Sequence, residues 1–123
     1  MANNNCLVRP LRGDPAVIYK VSVAKSDFNE VLKSTKVTKK LGKANLVIEE
    51  VDFHYAAGEL KIIVVGSERV VVAKGSGQWS TCIPLLRYKA LSKLPPIADP
   101  LIIEYDPENK RLKIGTTSFS TPY

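Results

Sequence analysis

The chain has 123 residues, 45% of them hydrophobic and 24% charged, the balance of an ordinary globular protein long enough to bury its own core. Its formal net charge is +6 and its pI is about 9.4, which favours a polyanionic partner. No apolar run approaches the roughly 20 residues of a membrane helix, so a membrane-spanning role is excluded at the level of helices.

Residues 1–14 are polar and irregular, with Arg9 and Arg12 near Pro10 and Gly13, and read as an N-terminal arm before a single domain over 15–123. The arm has no apolar core of signal-peptide length, which leads to the expectation of a cytoplasmic protein. Cys6 and Cys82 are far apart in such a chain and are expected to be free thiols. From residue 16 to 24, Val17, Tyr19, Val21 and Val23 alternate with Ile18, Lys20 and Ser22, the period of a strand.

Residues 25–43, KSDFNEVLKSTKVTKKLGK, follow directly. Ser26 is the expected N-cap, and Asp27 and Glu30 suit the positive end of a helix dipole. Phe28, Val31, Leu32 and Thr35 recur at helical spacing and predict a narrow apolar stripe. Asn29, Lys33, Lys36 and Lys40 fall on the other side, and Gly42 closes the region.

The middle of the chain is rich in strands. Residues 46–55 alternate, with Val47, Glu49, Val51, Phe53 and Tyr55 on one parity and Glu50, Asp52 and His54 on the other. A turn at 56–59 containing Gly58 reverses the chain into 60–65. A second turn at 66–68 leads into 69–74, where Val70, Val71 and Val72 give strong strand propensity. Gly75, Ser76 and Gly77 break that strand, and 78–83 makes a short one carrying Trp79.

Pro84 suits the first position of a second helix. Leu86, Ala90, Leu91 and Leu94 form its expected buried side, with Lys89 and Lys93 opposite; Arg87 falls nearer the apolar side, so it must snorkel or the helix is irregular. Pro95 and Pro96 end it. Strands over 101–105 and 111–116 flank a turn at 106–109, DPEN, and Phe119 belongs to a last strand. Two helices among strands joined mostly by hairpins predict an α+β domain with a largely antiparallel sheet.

Charge is distributed unevenly over these elements. Segment 25–43 holds six lysines against Asp27 and Glu30, or +4; segment 83–94 holds Arg87, Lys89 and Lys93 with no acid, or +3. The remainder holds nine bases and ten acids, or −1, and the parts sum to +6. All the excess charge lies in the two segments expected to be helical.

Other chemistries find little support. His54 is the only histidine, which provides neither a metal cluster nor a catalytic triad. Alternation separates Glu49 from Glu50 and Asp52, so these acids read as solvated strand positions. The Gly75 to Gly77 stretch lacks the trailing Gly-Lys-Ser/Thr of a phosphate loop and precedes a strand. Cys82, beside Ile83, reads as a packed thiol. No cofactor or small-molecule substrate is implied.

The ordered series SDFNEVLKST, GELKIIVVGSERVVVA, CIPLLRYKALSKLPP and LIIEYDPENKRLKIGTTSFS resembles one domain of a DNA sliding clamp, the bacterial polymerase β-clamp and its ring-shaped relatives. The resemblance spans about residues 19–121. It implies an α+β, DNA-clamp-like domain with two helices packed on one face of a largely antiparallel sheet. It further implies a non-enzymatic protein that self-associates and holds duplex DNA without reading bases, through phosphate contacts alone. By position, Lys33, Lys36, Lys40, Arg87, Lys89 and Lys93 would face the DNA. Clamp subunits join by pairing edge strands, for which 69–74 and 111–116 are the candidates. Known clamp subunits carry two or three such domains, whereas this chain carries one, so a ring would need six copies. The alternative is a protein-interaction module that keeps the fold and binds a protein or peptide partner instead of DNA.

Overall fold

Alternating hydrophobicity and two-residue turns make most of this chain into hairpins. The computed structural model describes residues 17–35, 50–93 and 96–121. The arm at 1–14, the strand start at 46–49 and Lys36, Lys39, Lys40 and Lys43 lie outside these residues. The elements are β1 (Tyr19–Val23), α1 (Lys25–Ser34), β2 (Glu50–Ala56), β3 (Glu59–Val64), β4 (Ser67–Gly75), β5 (Trp79–Pro84), α2 (Leu85–Lys93), β6 (Leu101–Asp106), β7 (Arg111–Ile114) and β8 (Thr117–Ser120).

The strands form one nearly closed, eight-stranded antiparallel sheet in the order β5-β2-β3-β4-β1-β6-β7-β8. The described residues are therefore α+β and mostly strand. β4 joins the two halves of the sheet. It pairs with β3 through 67–72 and with β1 through Ala73 to Gly75. Gly75 is required there, because a Cβ would meet Lys20 O at 2.6 Å.

The same order of elements occurs twice: β1-α1-β2-β3-β4, then β5-α2-β6-β7-β8. Each half sends its first strand to the other half's hairpins, β1 onto β6 and β5 onto β2. Tyr19 faces Tyr105 and Trp79 faces Tyr55 in corresponding places. Val23 and Ile83, Phe28 and Tyr88, and Val31 and Leu91 are all buried at matching positions. Conserving apolar volume rather than residue type is enough to repeat a packing arrangement.

One core holds the two halves together. Tyr55, Trp79 and Tyr105 stack in series, with centroids 6.3 Å and 5.3 Å apart, so an end strand of the sheet meets β6 through its side chains. The inward parity expected for β1 and β2 is seen at Val21, Val23, Val51, Phe53 and Tyr55, all buried, whereas Val17 of the same parity is exposed.

Several expectations are corrected. α1 starts at Lys25 with Ala24 as its cap residue and no side-chain cap of its own, so Ser26 is not the N-cap. Pro84 ends β5 instead of opening α2. α2 buries Leu85, Tyr88 and Leu91, while Leu86 is 54% exposed. Ala90 is exposed as well, because an edge-to-face contact between Phe53 and Tyr88 sets the helix rotation. Arg87 is simply exposed.

Neither expected edge strand is an end of the sheet, β7 lying between β6 and β8 and β4 between β3 and β1, although β4 pairs with β1 only over Ala73 to Gly75 and is unpaired on that side from 67 to 72. The outer side of β2 is not a solvated face either, since Asp52 is buried, as are Ser80 and Cys82 on β5. Cys82 is disulfide-bonded, which overturns the free-thiol reading; Cys6, the other cysteine of the sequence, lies outside the described residues.

Candidate nucleic-acid interface

α1 docks through Phe28, Val31 and Leu32, with Thr35 buried just past its end, as the apolar stripe predicts. The opposite side carries Lys33, which is exposed. Within α1 the charges cancel: Lys25 and Lys33 against Asp27 and Glu30 sum to zero. The excess assigned to 25–43 therefore belongs to Lys36, Lys39, Lys40 and Lys43, outside the described residues. Lys36 and Lys40 receive no structural placement.

α2 differs. Arg87, Lys89 and Lys93 give it +3 with no acid, and Arg87 and Lys93 are exposed while Lys89 is half-buried. Among the described residues none of the three is in an ion pair, the two pairs being Lys20–Glu104 and Lys61–Glu68. At about 100° per residue, Arg87 and Lys89 fall on opposite flanks of the side buried through Tyr88, with Lys93 beside Lys89, so α2 carries net positive charge without gathering it on one face. The basic residue Lys93 in the last turn also suits the helix dipole.

One hydrogen-bonded pair fixes the helices to each other. The Thr35 hydroxyl donates to Val31 O at 2.6 Å. Its proton is thereby used, so Tyr88 O–H donates to Thr35 Oγ1, at 2.8 Å. Burial pushes the Tyr88 phenol above its usual range, which keeps the donor protonated. Lys33 lies two residues before Thr35, and Arg87 and Lys89 flank Tyr88. The end of α1 and the middle of α2 are thus held together. Sequence reasoning placed Thr35 on the buried stripe but missed its bond to Tyr88, because a pairing across 53 residues leaves no local signal.

His54 adds no charge to the basic residues of the two helices. Burial, and then Lys61 across the strand pair, lower its pKa from the ordinary 6.5, so it is neutral at pH 7. Among the described residues no three of His, Cys, Asp and Glu gather as a metal site. No described helix is long and apolar enough to cross a membrane. No protein-family model matches the chain, and no curated protein matches its sequence.

Proposed function

We propose that this chain is a non-enzymatic, clamp-like domain that self-associates and binds duplex DNA without sequence preference. Arg87, Lys89 and Lys93 on α2 would meet the phosphates, joined by Lys33 and by Lys36 and Lys40 beyond α1. The observation that carries this reading is α2 itself, a helix with three cations and no acid, tied to α1 by the Thr35–Tyr88 hydrogen bond. The order strand, helix, three strands, strand, helix, three strands supports the likeness to a clamp domain. Weak phosphate contacts suffice when a ring supplies the tether, because topology rather than affinity then prevents escape.

Self-association would use the end strands of the sheet, of which β8 has exposed residues at Thr117, Ser118 and Ser120. A cytoplasmic place belongs to the same proposal, although the disulfide at Cys82 removes the redox argument for it. The second reading, a clamp-shaped module that binds protein and not DNA, is favoured by the balanced charge of α1.

Fluorescence anisotropy with a duplex of arbitrary sequence tests the proposal. Reversing Arg87, Lys89 and Lys93 to Glu should abolish binding at low salt. Neutralising them should flatten the slope of log K against log salt by about 2.7, at about 0.9 per phosphate contact. Unchanged affinity in the reversed variant leaves only the protein-binding reading. Sedimentation measures the assembly, and a stable monomer rules out a ring made by this chain alone.

A further inference from the structure

β4 has a flank that its own sheet leaves open. Along 67–72 it pairs with β3, but on the other side it meets β1 only from Ala73 to Gly75. Ala73 donates its N–H to Gly58 O, on the β3 side. Backbone alternation therefore turns the N–H and C=O of Val70 and Val72 to the open side. That side borders α1 across a groove of about 380 Å³, walled by Asp27, Glu30 and Ser34 on the helix and Arg69, Val70 and Val72 on the strand. Arg69 Nε donates to Ser34 Oγ at 3.1 Å and bridges the groove at one end.

Three properties of the groove converge. Its strand wall offers main-chain hydrogen-bonding groups to a neighbour, the basis of strand addition. Val70 and Val72 are 47% and 70% exposed, and proteins normally blunt such an edge with charge or proline unless something covers it. Its helix wall carries exposed Asp27 and Glu30, neither in an ion pair among the described residues. Against the one cation that lines the groove, Arg69, which is held at one end by Ser34, the two acids leave a net charge of −1, which favours a cationic partner.

We propose that the groove binds an extended segment of a partner protein that carries lysine or arginine at alternate positions. The segment adds as a strand to Val70 and Val72, and its cations meet Asp27 and Glu30. This inference is independent of the nucleic-acid reading, since it rests on the open flank of β4 and on Asp27 and Glu30, none of which that reading uses.

The test uses the full chain and a fluorescein-labelled peptide alternating Val and Lys, with a Val–Glu alternation as control, in an anisotropy titration at low salt. The expected result is micromolar binding of the lysine peptide alone. Val72→Pro removes the outward N–H without touching the β3 pairing and should weaken binding by at least about tenfold. The paired reversal Asp27→Lys, Glu30→Lys should do the same, and decides the matter if Val72→Pro does not fold, because both acids are exposed. No binding, equal binding of the two peptides, or affinity unmoved by the charge reversal overturns the proposal. A wild-type oligomer that Val72→Pro dissociates also overturns it, by placing a second copy of this chain in the groove.

Discussion

Asp99 caps a helix that begins 74 residues before it: its Oδ1 accepts the Lys25 N–H at 3.2 Å. The first backbone N–H groups of a helix have no partner within it, and here one is satisfied from the segment between α2 and β6. Asp99→Ala should lower stability by about 0.5–2 kcal/mol, the usual worth of a cap. Ser26→Ala should cost only a few tenths of a kcal/mol. Urea unfolding of the two variants checks the contrast, and the reverse order would reinstate Ser26 as the cap.

The Thr35–Tyr88 pair joins the two helices in the core. Tyr88→Phe should cost about 1 kcal/mol, the net worth of one buried hydrogen bond, with little change in packing. Thr35→Val loses that bond and the one to Val31 O, so it should cost more. A double-mutant cycle should give a coupling near 1 kcal/mol. A coupling indistinguishable from zero would mean that the helices are registered by apolar contact alone.

Val65 holds φ at +46° and Gly66 at +81°, so the β3–β4 hairpin turns on two left-handed residues. A β-branched residue is disfavoured in that region, and asparagine is its natural occupant ahead of glycine. Val65→Asn should therefore stabilise the protein by about 1 kcal/mol, read as a higher melting temperature. The side chain is 46% exposed, so little burial is sacrificed. A lower melting temperature would show that Val65 contributes more by contact than it costs in backbone strain.

His54 should make stability depend on pH. Its folded pKa lies below the ordinary 6.5, so the unfolded chain takes up a proton more readily than the folded one. Stability from this group is complete above 6.5 and is lost as pH falls through that value toward the folded pKa. The melting temperature should decline as solutions are acidified below neutrality, and His54→Gln should flatten the decline. An equal slope in the variant would assign the effect to other groups.

Much of the candidate site was legible in the sequence because its signals are local. The spacing of Phe28, Val31, Leu32 and Thr35 identified the docked face of α1, and the absence of acid between 83 and 94 identified α2 as basic. The buried face of α2 was not legible. Leucines stand on several sides of that helix, and only the contact of Tyr88 with Phe53 selects Leu85 over Leu86.

Although the turn at 115–116 fell inside the strand expected over 111–116, the sequence by itself determined the other hairpin positions, most of the strands and the two segments that carry the excess charge. Each follows from relations among residues a few positions apart. Tertiary structure alone decided that Asp99 caps α1, that Tyr88 bonds Thr35, that Cys82 is disulfide-bonded and that β4 is open toward α1 rather than at the end of the sheet. Those outcomes depend on pairing between residues distant in the chain, where loop closure sets no preferred partner and only the packed core selects one.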